Sequence, residues 1–357
     1  MNRTAFSLPE RSEYRTGAGL VIARIVEQFT GDAKRLDDLI DLLDRRRGVV
    51  LSSGTTVPGR YESFDLGFAD PPLVLETSGS DFSLSALNAR GEVLIAFLGD
   101  VLREPCVVIS EASPTRLKGH IIRGAAPVEE DQRTRRASVM SLVRNMIAAL
   151  SANDDPLLGL YGAFAYDLVF QIEDLVQKRK REDDQRDIVL YVPDRLLAYD
   201  RATGRGVELS YDFAWNGKST SGLPRESGES VYTKTNRQGF ADHAAGEYQA
   251  TVEVARAAFA RGDLFEAVPG QLFAEPCERS PAEVFQRLCR INPSPYGALM
   301  NLGDGEFLVS ASPEMFVRSD GRRVETCPIS GTIARGVDAI GDAEQIQIGR
   351  ASCRERV

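Results

Sequence analysis

Short apolar runs separated by turn residues recur along this 357-residue chain, and they constrain its fold more than any other feature. Runs of about four to eight apolar residues between turn residues are typical of β-strands. We interpret residues 88–91 as a hairpin connection between two such runs. Because many strands accompany few long helices, the sequence predicts an α+β fold with layered sheets. The predicted strands before residue 216 lie at 49–51, 61–68, 73–76, 82–87, 93–98, 106–110, 159–169 and 188–200.

Four segments have the pattern of helices. Residues 32–46 place leucine and isoleucine at positions i, i+3, i+4 and i+7, which forms one apolar stripe. Residues 129–150 are predicted to form the longest helix, and residues 247–261 form another. The sequence SPAE at 280–283 combines a capping box with proline at the first helical position, so a fourth helix is expected to begin there.

A change of composition divides the chain. Residues 216–236 are rich in glycine, serine, threonine and lysine, which is typical of an exposed loop or an inter-domain linker. We therefore predict a first domain at 1–215, a linker at 216–240 and a second domain at 241–347. In the second domain, strands are predicted at 264–268 and 271–275, and an antiparallel meander at 296–327.

The last residues, 348–357, read IGRASCRERV and have neither a helical nor a strand period. They resemble the translation of a sequencing-library adapter, so we interpret them as a non-native, adapter-derived tail and exclude them from fold reasoning. The natural sequence is then expected to end near Gln347, within the second domain.

Composition excludes several classes of protein. The formal net charge is −9, whereas a nucleic-acid-binding surface has to be positive. There is no apolar run long enough to span a bilayer and no signal peptide at the N-terminus. Cys106, Cys277, Cys289 and Cys327 are scattered without a CxxC pair, so neither a zinc site nor a disulfide framework is indicated. We expect a cytoplasmic protein with no nucleic-acid or membrane partner.

Motifs for several common activities are absent. There is no P-loop and no HExxH sequence. The two histidines, His120 and His243, have no serine or cysteine nucleophile in a recognisable context nearby. Each histidine is therefore interpreted as structural or solvent-facing, and a Ser–His–Asp hydrolase is not indicated.

Two segments could line a ligand pocket. In ETCPISGTIARG, residues 325–336, Gly331 lets a ligand approach the backbone and the Thr332 hydroxyl can donate or accept a hydrogen bond. In NPSPY, residues 292–296, two prolines fix φ and leave carbonyl groups free. Taken alone, the first segment is more simply a hairpin turn and the second a helix-to-strand connector.

Four motifs in order are far more specific than either segment. They are LFEAVP (264–269), INPSPY (291–296), SASPEMFVR (310–318) and ETCPISGTIARG (325–336). Together they resemble component I of anthranilate synthase, within the chorismate-utilising enzyme family, and VVLSSGTTVPGRYES and GAFAYDL in the first domain agree. The resemblance extends over nearly all of residues 1–347 and is strongest from about residue 240.

The resemblance implies a fold and a reaction. It implies a layered antiparallel β-sheet sandwich with flanking helices, a regulatory-type domain at 1–215 and the first part of a chorismate-binding catalytic domain at 241–347. The family adds ammonia to C2 of chorismate, removes the C4 hydroxyl and eliminates pyruvate to give anthranilate, for tryptophan biosynthesis. Mg²⁺ holds the substrate carboxylate. A glutamine amidotransferase, fused or separate, supplies the ammonia, and a homo-oligomer is expected.

The resemblance also implies site residues. Gly331 and Thr332 match the pair that contacts chorismate. Ser53 matches the first segment that binds tryptophan as a feedback inhibitor, and Pro295, Tyr296 and Gly297 match the second. Two positions depart from the family pattern, in which residue 52 is commonly acidic and residue 297 commonly methionine. The strength of tryptophan inhibition is therefore left open.

The metal ligands and the remaining catalytic groups of the family correspond to sequence after Gln347, so we assign no catalytic or metal-binding residue here. This chain is therefore expected to be inactive by itself, although its parent would be an anthranilate synthase. Two alternatives stay open. One is an aminodeoxychorismate or isochorismate synthase, and the other is a non-catalytic tryptophan-binding fragment.

Overall fold

The computed structural model describes residues 6–55, 64–123, 136–152, 155–173, 175–177, 180–182, 184–234, 238–264, 266–321, 323–327, 334, 336–338 and 340–345. Over these residues the protein is mixed α/β, with several antiparallel sheets and few helices. Its helices are α1 (Lys34–Leu42), α2 (Ala89–Val101), α3 (Val139–Leu150), α4 (Glu247–Arg261) and α5 (Pro281–Ile291), with a 3-10 helix at Tyr166–Gln171.

The described residues contain nineteen strands, and fifteen of them belong to two large sheets. In chain order they are β1 (Arg11–Arg15), β2 (Val21–Thr30), β3 (Gly48–Ser52), β4 (Phe64–Ala69), β5 (Leu73–Ser78), β6 (Asp81–Ala86), β7 (Val107–Ser113), β8 (Arg116–Ile121), β9 (Tyr161–Phe164), β10 (Ile188–Val192), β11 (Arg195–Asp200), β12 (Arg205–Trp215), β13 (Lys218–Ser219), β14 (Phe240–Ala241), β15 (Phe273–Ala274), β16 (Tyr296–Gly303), β17 (Glu306–Ser312), β18 (Met315–Asp320) and β19 (Arg323–Cys327).

Two antiparallel sheets dominate the fold. The larger has the order β1-β2-β12-β11-β4-β3-β16-β17, with β13 paired to β12, and the smaller has the order β7-β8-β6-β5-β10-β9. The strands β16 and β17 come from the predicted second domain, yet β16 pairs with β3 of the predicted first domain. The predicted meander is present as two hairpins, because β16–β17 and β18–β19 belong to different sheets.

Apolar packing joins the two large sheets. Phe68 of β4 lies edge-on to Tyr161 of β9 and Tyr191 of β10, with ring centroids 5.7 and 6.2 Å apart. A second buried cluster on the larger sheet lies under α1 and α5 and includes Leu36 and Phe285. Full burial of such a side chain contributes about 1.5–3 kcal/mol, so α1 and α5 are held chiefly by their apolar faces.

The helix α2 is the main correction to the sequence-based prediction. Residues 93–98 were predicted to be a strand and 88–91 a hairpin connection, and both predictions are wrong. The Asn88 side chain accepts hydrogen bonds from the backbone N–H groups of Arg90 and Gly91, at 3.0 and 3.2 Å, and so caps the helix. The helix contacts strands of both sheets, and a helix buried on most sides has no polar face for periodicity to detect.

Replacing Asn88 by alanine is expected to lower the free energy of unfolding by about 1–2 kcal/mol, because α2 loses its cap and a bond from Asn88 Nδ2 to the carbonyl of Arg225 (2.7 Å) is also lost. Chemical denaturation measures the change. Asn88→Ser keeps a capping oxygen and serves as the control. Equal losses in the two variants would contradict a capping role.

The other helices agree with their predicted boundaries to different extents. The helix α4 matches its predicted range, and α5 begins at the predicted capping box, with proline at its first position. α1 is shorter than predicted at both ends. The segment 129–150, predicted to be the longest helix, forms α3 from Val139, which Ser138 caps. Among the described helices α4 is longer than α3, and residues 129–135 lie outside the described part.

The predicted strands were partly wrong. The described residues of 264–268 form no strand, and within 271–275 only β15 forms one. The run 188–200 contains two strands, β10 and β11, which belong to different sheets because the chain turns between them. The run 159–169 forms the short strand β9 and then enters a 3-10 helix. Residues 61–63 lie outside the described part.

The predicted linker lies against the larger sheet. Thr220 is fully buried, and the backbone N–H groups of Ser230 and Tyr232 donate to the carbonyls of Arg45 and Asp44, at 2.8 and 2.9 Å. Among the described residues of this segment only Thr220 and Ser227 are buried and most of the others are exposed, and both the loop-or-linker interpretation and the division into two domains stay predictions. No helix in the described ranges is long and apolar enough to cross a membrane.

Candidate functional site

The pairing of β3 with β16 places the candidate tryptophan-binding residues beside each other. Ser52, the last residue of β3, is the antiparallel partner of Gly297, the second residue of β16. Ser53 therefore leaves β3 next to the point where Pro295 and Tyr296 lead into β16. These two segments are about 240 residues apart in sequence, and the sheet brings them together.

Two hydrogen bonds fix this contact. The backbone N–H of Gly54 donates to the carbonyl of Ser294 at 2.8 Å, and the Thr55 hydroxyl donates to the carbonyl of Pro293 at 3.1 Å. Proline has no backbone N–H group, so the carbonyl groups of this segment meet fewer local donors. They are therefore available to accept hydrogen bonds from a neighbouring segment. Ser53 is itself buried, and its hydroxyl donates to the carbonyl of Thr55 at 3.3 Å.

Glycine at two positions permits the close approach of these segments. A Cβ atom on Gly54 would lie 3.3 Å from Cα of Pro293. A Cβ atom on Gly297 would lie 3.1 Å from the carbonyl oxygen of Ser52 and 3.6 Å from the ring of Phe285. The tight fit at Gly297 means that a larger side chain there has to displace the backbone of β3 or the helix α5.

The candidate chorismate-binding residues, Gly331 and Thr332, lie outside the described residues. The strand that precedes them, β19, pairs with β18 in a hairpin apart from the two large sheets. In the part of the chain that the structure describes, no group of three or more His, Cys, Asp or Glu side chains could hold a metal ion. The described residues therefore do not supply a set of ligands for Mg²⁺.

Comparison with known proteins identifies the family. Residues 104–348, more than half of the chain, match the family model described as chorismate binding enzyme. The chain belongs to this family. It is 49% identical over 342 residues to an anthranilate synthase of Azospirillum brasilense, which covers 95% of this chain and 46% of that protein.

Further relatives agree. The chain is 29% identical over 360 residues to the pyocyanine-specific anthranilate synthase component 1 of Pseudomonas aeruginosa, covering 95% of the chain and 63% of that protein. It is 28% identical over 350 residues to anthranilate synthase component 1 of Serratia marcescens, covering 91% and 64%. The resemblance inferred from the motifs is confirmed. The chain spans about half to two thirds of the length of these relatives.

His243 follows β14 and is hydrogen-bonded to the neighbouring residue, Asp242. Its Nδ1 lies 2.7 Å from Oδ1 of Asp242, which also accepts a bond from the backbone N–H of Leu272 at 2.9 Å. The hydrogen bond with His243 lowers the pKa of Asp242 below its ordinary value. The contacts of this pair hold β14 beside the segment that leads into β15. The structural interpretation of His243 stays a prediction.

A buried carboxylate next to the site was missed by sequence reasoning. Asp65 of β4 is fully buried and pairs with Arg201, whose Nε lies 2.6 Å from Oδ2. Burial raises the pKa of Asp65, while Arg201 and then Ser52 oppose the shift. The only sequence signal was an aspartate inside an apolar strand pattern.

Replacing Asp65 by asparagine is expected to leave the free energy of unfolding at pH 7 unchanged or to raise it. Because the folded-state pKa lies above the unfolded value of about 3.8, the folded state binds the proton more tightly. This contribution to stability is lost as pH rises through the folded-state pKa and regained as pH falls. Denaturation of both proteins between pH 4 and pH 8 should therefore show the wild type gaining relative to Asp65→Asn on acidification. A difference independent of pH would contradict the raised pKa.

Two buried arginines were also missed. Arg90 pairs with Asp194 and with Asp212 (2.9 Å), and it donates to the carbonyls of Tyr211 and Thr220 at 2.7 and 2.6 Å. The planar guanidinium group of Arg90 has five N–H donors for these acceptors. A lysine at this position has only three N–H donors and would leave some of the acceptors without a hydrogen bond.

The second buried arginine, Arg24, pairs with Asp155 at 2.8 Å, and both side chains are almost fully buried. Tyr14 and Tyr211 donate to the same carboxylate at 2.8 and 3.2 Å. Each of these arginine clusters joins residues far apart in sequence, so neither could be read from local spacing.

A surface cleft of about 550 Å³ lies away from the candidate site, between α1 and residues 225–226. Its arginines are already neutralised. Arg35 pairs with Glu27 (3.5 Å) and Glu208 (3.6 Å), and Arg195 pairs with Glu208. The cleft therefore presents no uncompensated positive charge to a carboxylate such as that of chorismate, and we do not assign the site to it.

Proposed function

We propose that this family member is the chorismate-converting part of an anthranilate synthase, which forms anthranilate and pyruvate from chorismate and ammonia for tryptophan biosynthesis. The single observation that supports this most is the 49% identity with the Azospirillum brasilense anthranilate synthase over 95% of the chain. Gly331 and Thr332 would contact chorismate, the glycine by allowing close approach and the threonine through its hydroxyl. Mg²⁺ would offset the charge of the substrate carboxylate when it is bound.

Tryptophan is proposed as the feedback inhibitor, held by Ser53, Pro295, Tyr296 and Gly297. The supporting observation is that β3 and β16 bring these residues together from distant parts of the chain. A ligand bound between them would touch both the predicted regulatory-type domain, 1–215, and the predicted catalytic part, 241–347. Such a position is suited to coupling effector binding to the active site.

We also propose a layered sandwich, an amidotransferase partner and a homo-oligomer. The shared apolar cluster supports the layered sandwich, with the helices flanking the sheets. A glutamine amidotransferase is proposed to supply the ammonia, and a homo-oligomer is proposed for the parent enzyme. Large apolar side chains of the second part of the chain are exposed, Val268 at 86% and Phe316 at 90%, which supports a surface that is covered in the assembled enzyme.

The test uses the protein encoded by the complete gene, with chorismate, Mg²⁺ and ammonia. Anthranilate is followed by its fluorescence, and the products are separated by chromatography. We expect anthranilate, and its formation should be inhibited by tryptophan. Isochorismate or aminodeoxychorismate as the product would overturn the assignment in favour of the related synthases.

A second measurement addresses the non-catalytic alternative and the predicted inactivity. Calorimetry on residues 1–347 measures the binding of tryptophan and of chorismate separately. Tryptophan binding without chorismate binding would favour a tryptophan-binding module, which the hydrogen bonds between residues 54–55 and 293–294 make a specific alternative. Formation of anthranilate by residues 1–347 would show the predicted inactivity to be wrong.

A further inference from the structure

We propose that Asn301, near the end of β16, is a positioning residue for the contact between residues 53–55 and 293–297. Its side chain fixes the register of β16 against β3. This inference deepens the proposed tryptophan site and rests on the proposed function only for its ligand. Its structural part, the fixing of β16, can be tested without any ligand.

The amide side chain of Asn301 is fully buried and makes four hydrogen bonds. Its Nδ2 donates to the carbonyls of Leu43 and Ser230, at 2.9 and 2.7 Å. Its Oδ1 accepts from the Ser230 hydroxyl at 3.0 Å and from the backbone N–H of Gly303 at 3.1 Å. An amide has two N–H donors and one oxygen with two lone pairs, so these bonds fill its whole capacity. A buried polar group that is satisfied in this way is held in one orientation.

The four bonds join three parts of the chain. Leu43 directly follows α1, at the end of which the last carbonyl groups have no partner within the helix. Ser230 lies in the predicted linker, and its backbone N–H donates to the carbonyl of Arg45 at 2.8 Å. Gly303 ends β16, and the pairing of β16 with β17 is irregular between Asn301 and Gly303. By accepting the N–H of Gly303, the Asn301 side chain holds this irregularity at one place along β16.

Tyr191 and Arg186 hold the backbone of β16 at the same point. The Tyr191 hydroxyl, from β10, donates to the carbonyl of Asn301 at 2.9 Å. Arg186 donates to the carbonyl of Leu302 at 3.0 Å and to Oε1 of Glu76 in β5 at 2.7 Å. This end of β16 is therefore fixed through its backbone as well as through the side chain of Asn301.

The resulting register determines which residue meets the end of β3. Asn301 is opposite Gly48, and Gly297, at the other end of the pairing, is opposite Ser52. A slip of one residue would bring a neighbour of Gly297 opposite Ser52. A Cβ atom at that position lies 3.1 Å from the carbonyl oxygen of Ser52, so a side chain there fits only tightly. The bonds of Asn301 therefore keep glycine at the position where the two segments of the candidate site approach each other.

Register explains this buried asparagine better than stability does. In coiled coils, one buried asparagine sets the register of the helices at a cost in stability. Asn301 has the same character, because three of its four bonds reach outside β16. In any other register the carbonyls of Leu43 and Ser230 would lose these bonds, and an unpaired buried carbonyl disfavours that alternative.

The first experiment measures hydrogen exchange of the Gly54 amide, which donates to the carbonyl of Ser294 across the contact at 2.8 Å. Asn301→Leu keeps the number of side-chain atoms and removes all four bonds, so protection of this amide should fall about tenfold. Ser230→Ala removes only the hydroxyl that donates to Oδ1 of Asn301, so the fall should be smaller, about threefold.

Two controls separate positioning from stability. The Gly31 amide donates to the carbonyl of Gly204 at 2.8 Å just after β2, and its protection should change less than about twofold in each variant. Leu142 of α3 is fully buried, so Leu142→Ala leaves a cavity and lowers stability away from β16. This variant should leave the protection of Gly54 within about twofold of the wild type.

The outcomes separate this inference from the proposed function. Unchanged protection of Gly54 in Asn301→Leu, or equal losses at Gly54 and Gly31, would overturn the positioning role whether or not tryptophan binds. A loss in Leu142→Ala as large as that in Asn301→Leu would overturn it too, because the effect would then follow stability alone. Should Asn301→Leu not fold, Ser230→Ala carries the same test, with no loss at Gly54 as the contradicting result.

Tryptophan affinity provides the functional arm, measured by calorimetry on the protein encoded by the complete gene. We expect the Kd for tryptophan to rise about tenfold in Asn301→Leu and to stay within about twofold in Leu142→Ala, because only the first change releases β16. A wild-type protein that binds no tryptophan would contradict the proposed effector and leave the exchange result standing. A wild type that binds, with equal Kd values in Asn301→Leu and Leu142→Ala, would overturn the role of Asn301 in binding.

Discussion

Replacing Asp194 by alanine is expected to lower the free energy of unfolding by about 3–5 kcal/mol, because Arg90 would be left buried with its main partner removed. Both side chains of this pair are about 2% exposed, so water cannot take the place of the carboxylate. Asp212 and the backbone carbonyls around Arg90 would still accept hydrogen bonds, but they would neutralise less of its charge.

The measurement is the denaturant dependence of unfolding for the wild type, Asp194→Ala and Arg195→Ala. Arg195 is the next residue in the chain, and its side chain is 58% exposed in an ion pair with Glu208. Exposed ion pairs contribute at most about 1 kcal/mol, so Arg195→Ala should have a small effect. Similar losses in the two variants would mean that the Arg90 cluster is not the stabilising element.

In the complete enzyme, Thr332→Val is expected to reduce kcat/KM for chorismate by about 10- to 100-fold, because it removes a hydroxyl while keeping the shape of the side chain. Thr332→Ser keeps the hydroxyl and is the matched control, with a smaller expected loss. Steady-state fluorescence of anthranilate measures both. The predicted tryptophan response through Ser53 and Tyr296 should be retained in each variant.

The two variants test the ligand role of the motif directly. If Thr332→Val retains the wild-type kcat/KM, the hydroxyl does not contact the reacting substrate, and the motif is an ordinary hairpin turn. If both variants lose activity equally and unfold at lower denaturant concentration, the residue is structural. Only a loss specific to valine, with unchanged stability, agrees with substrate contact.

Local chemistry predicted the helix termini that carry strong signals. Ser280 and Glu283 form the expected reciprocal capping box at α5, and Gly262 ends α4 in the left-handed conformation that glycine favours. The helix α2 was missed because its central apolar run has the length and composition of a strand, and Asn88 looked like a turn residue. Only its burial between two sheets distinguishes a helix from a strand there.

The residues of the candidate site could be predicted from the sequence only in part. Motif resemblance selected Ser53 and residues 295–297, and the structure places them together, although the proposed binding role remains to be tested. Nothing in local spacing could select Asp65, because its ion-pair partner Arg201 is 136 residues away in the chain. The same reason hid the pair of Arg24 with Asp155, whose members are 131 residues apart.

The pairing of β3 with β16 has a consequence for synthesis on the ribosome. Thr55 and Pro293, which meet at the end of this pair, are 238 residues apart in the chain. At a translation rate of about 5–20 residues per second, β3 is made roughly 10 to 50 s before β16 emerges. During that interval one edge of β3 has no partner and is open to pairing with other nascent chains. We therefore expect the newly made protein to depend on chaperones until β16 is complete.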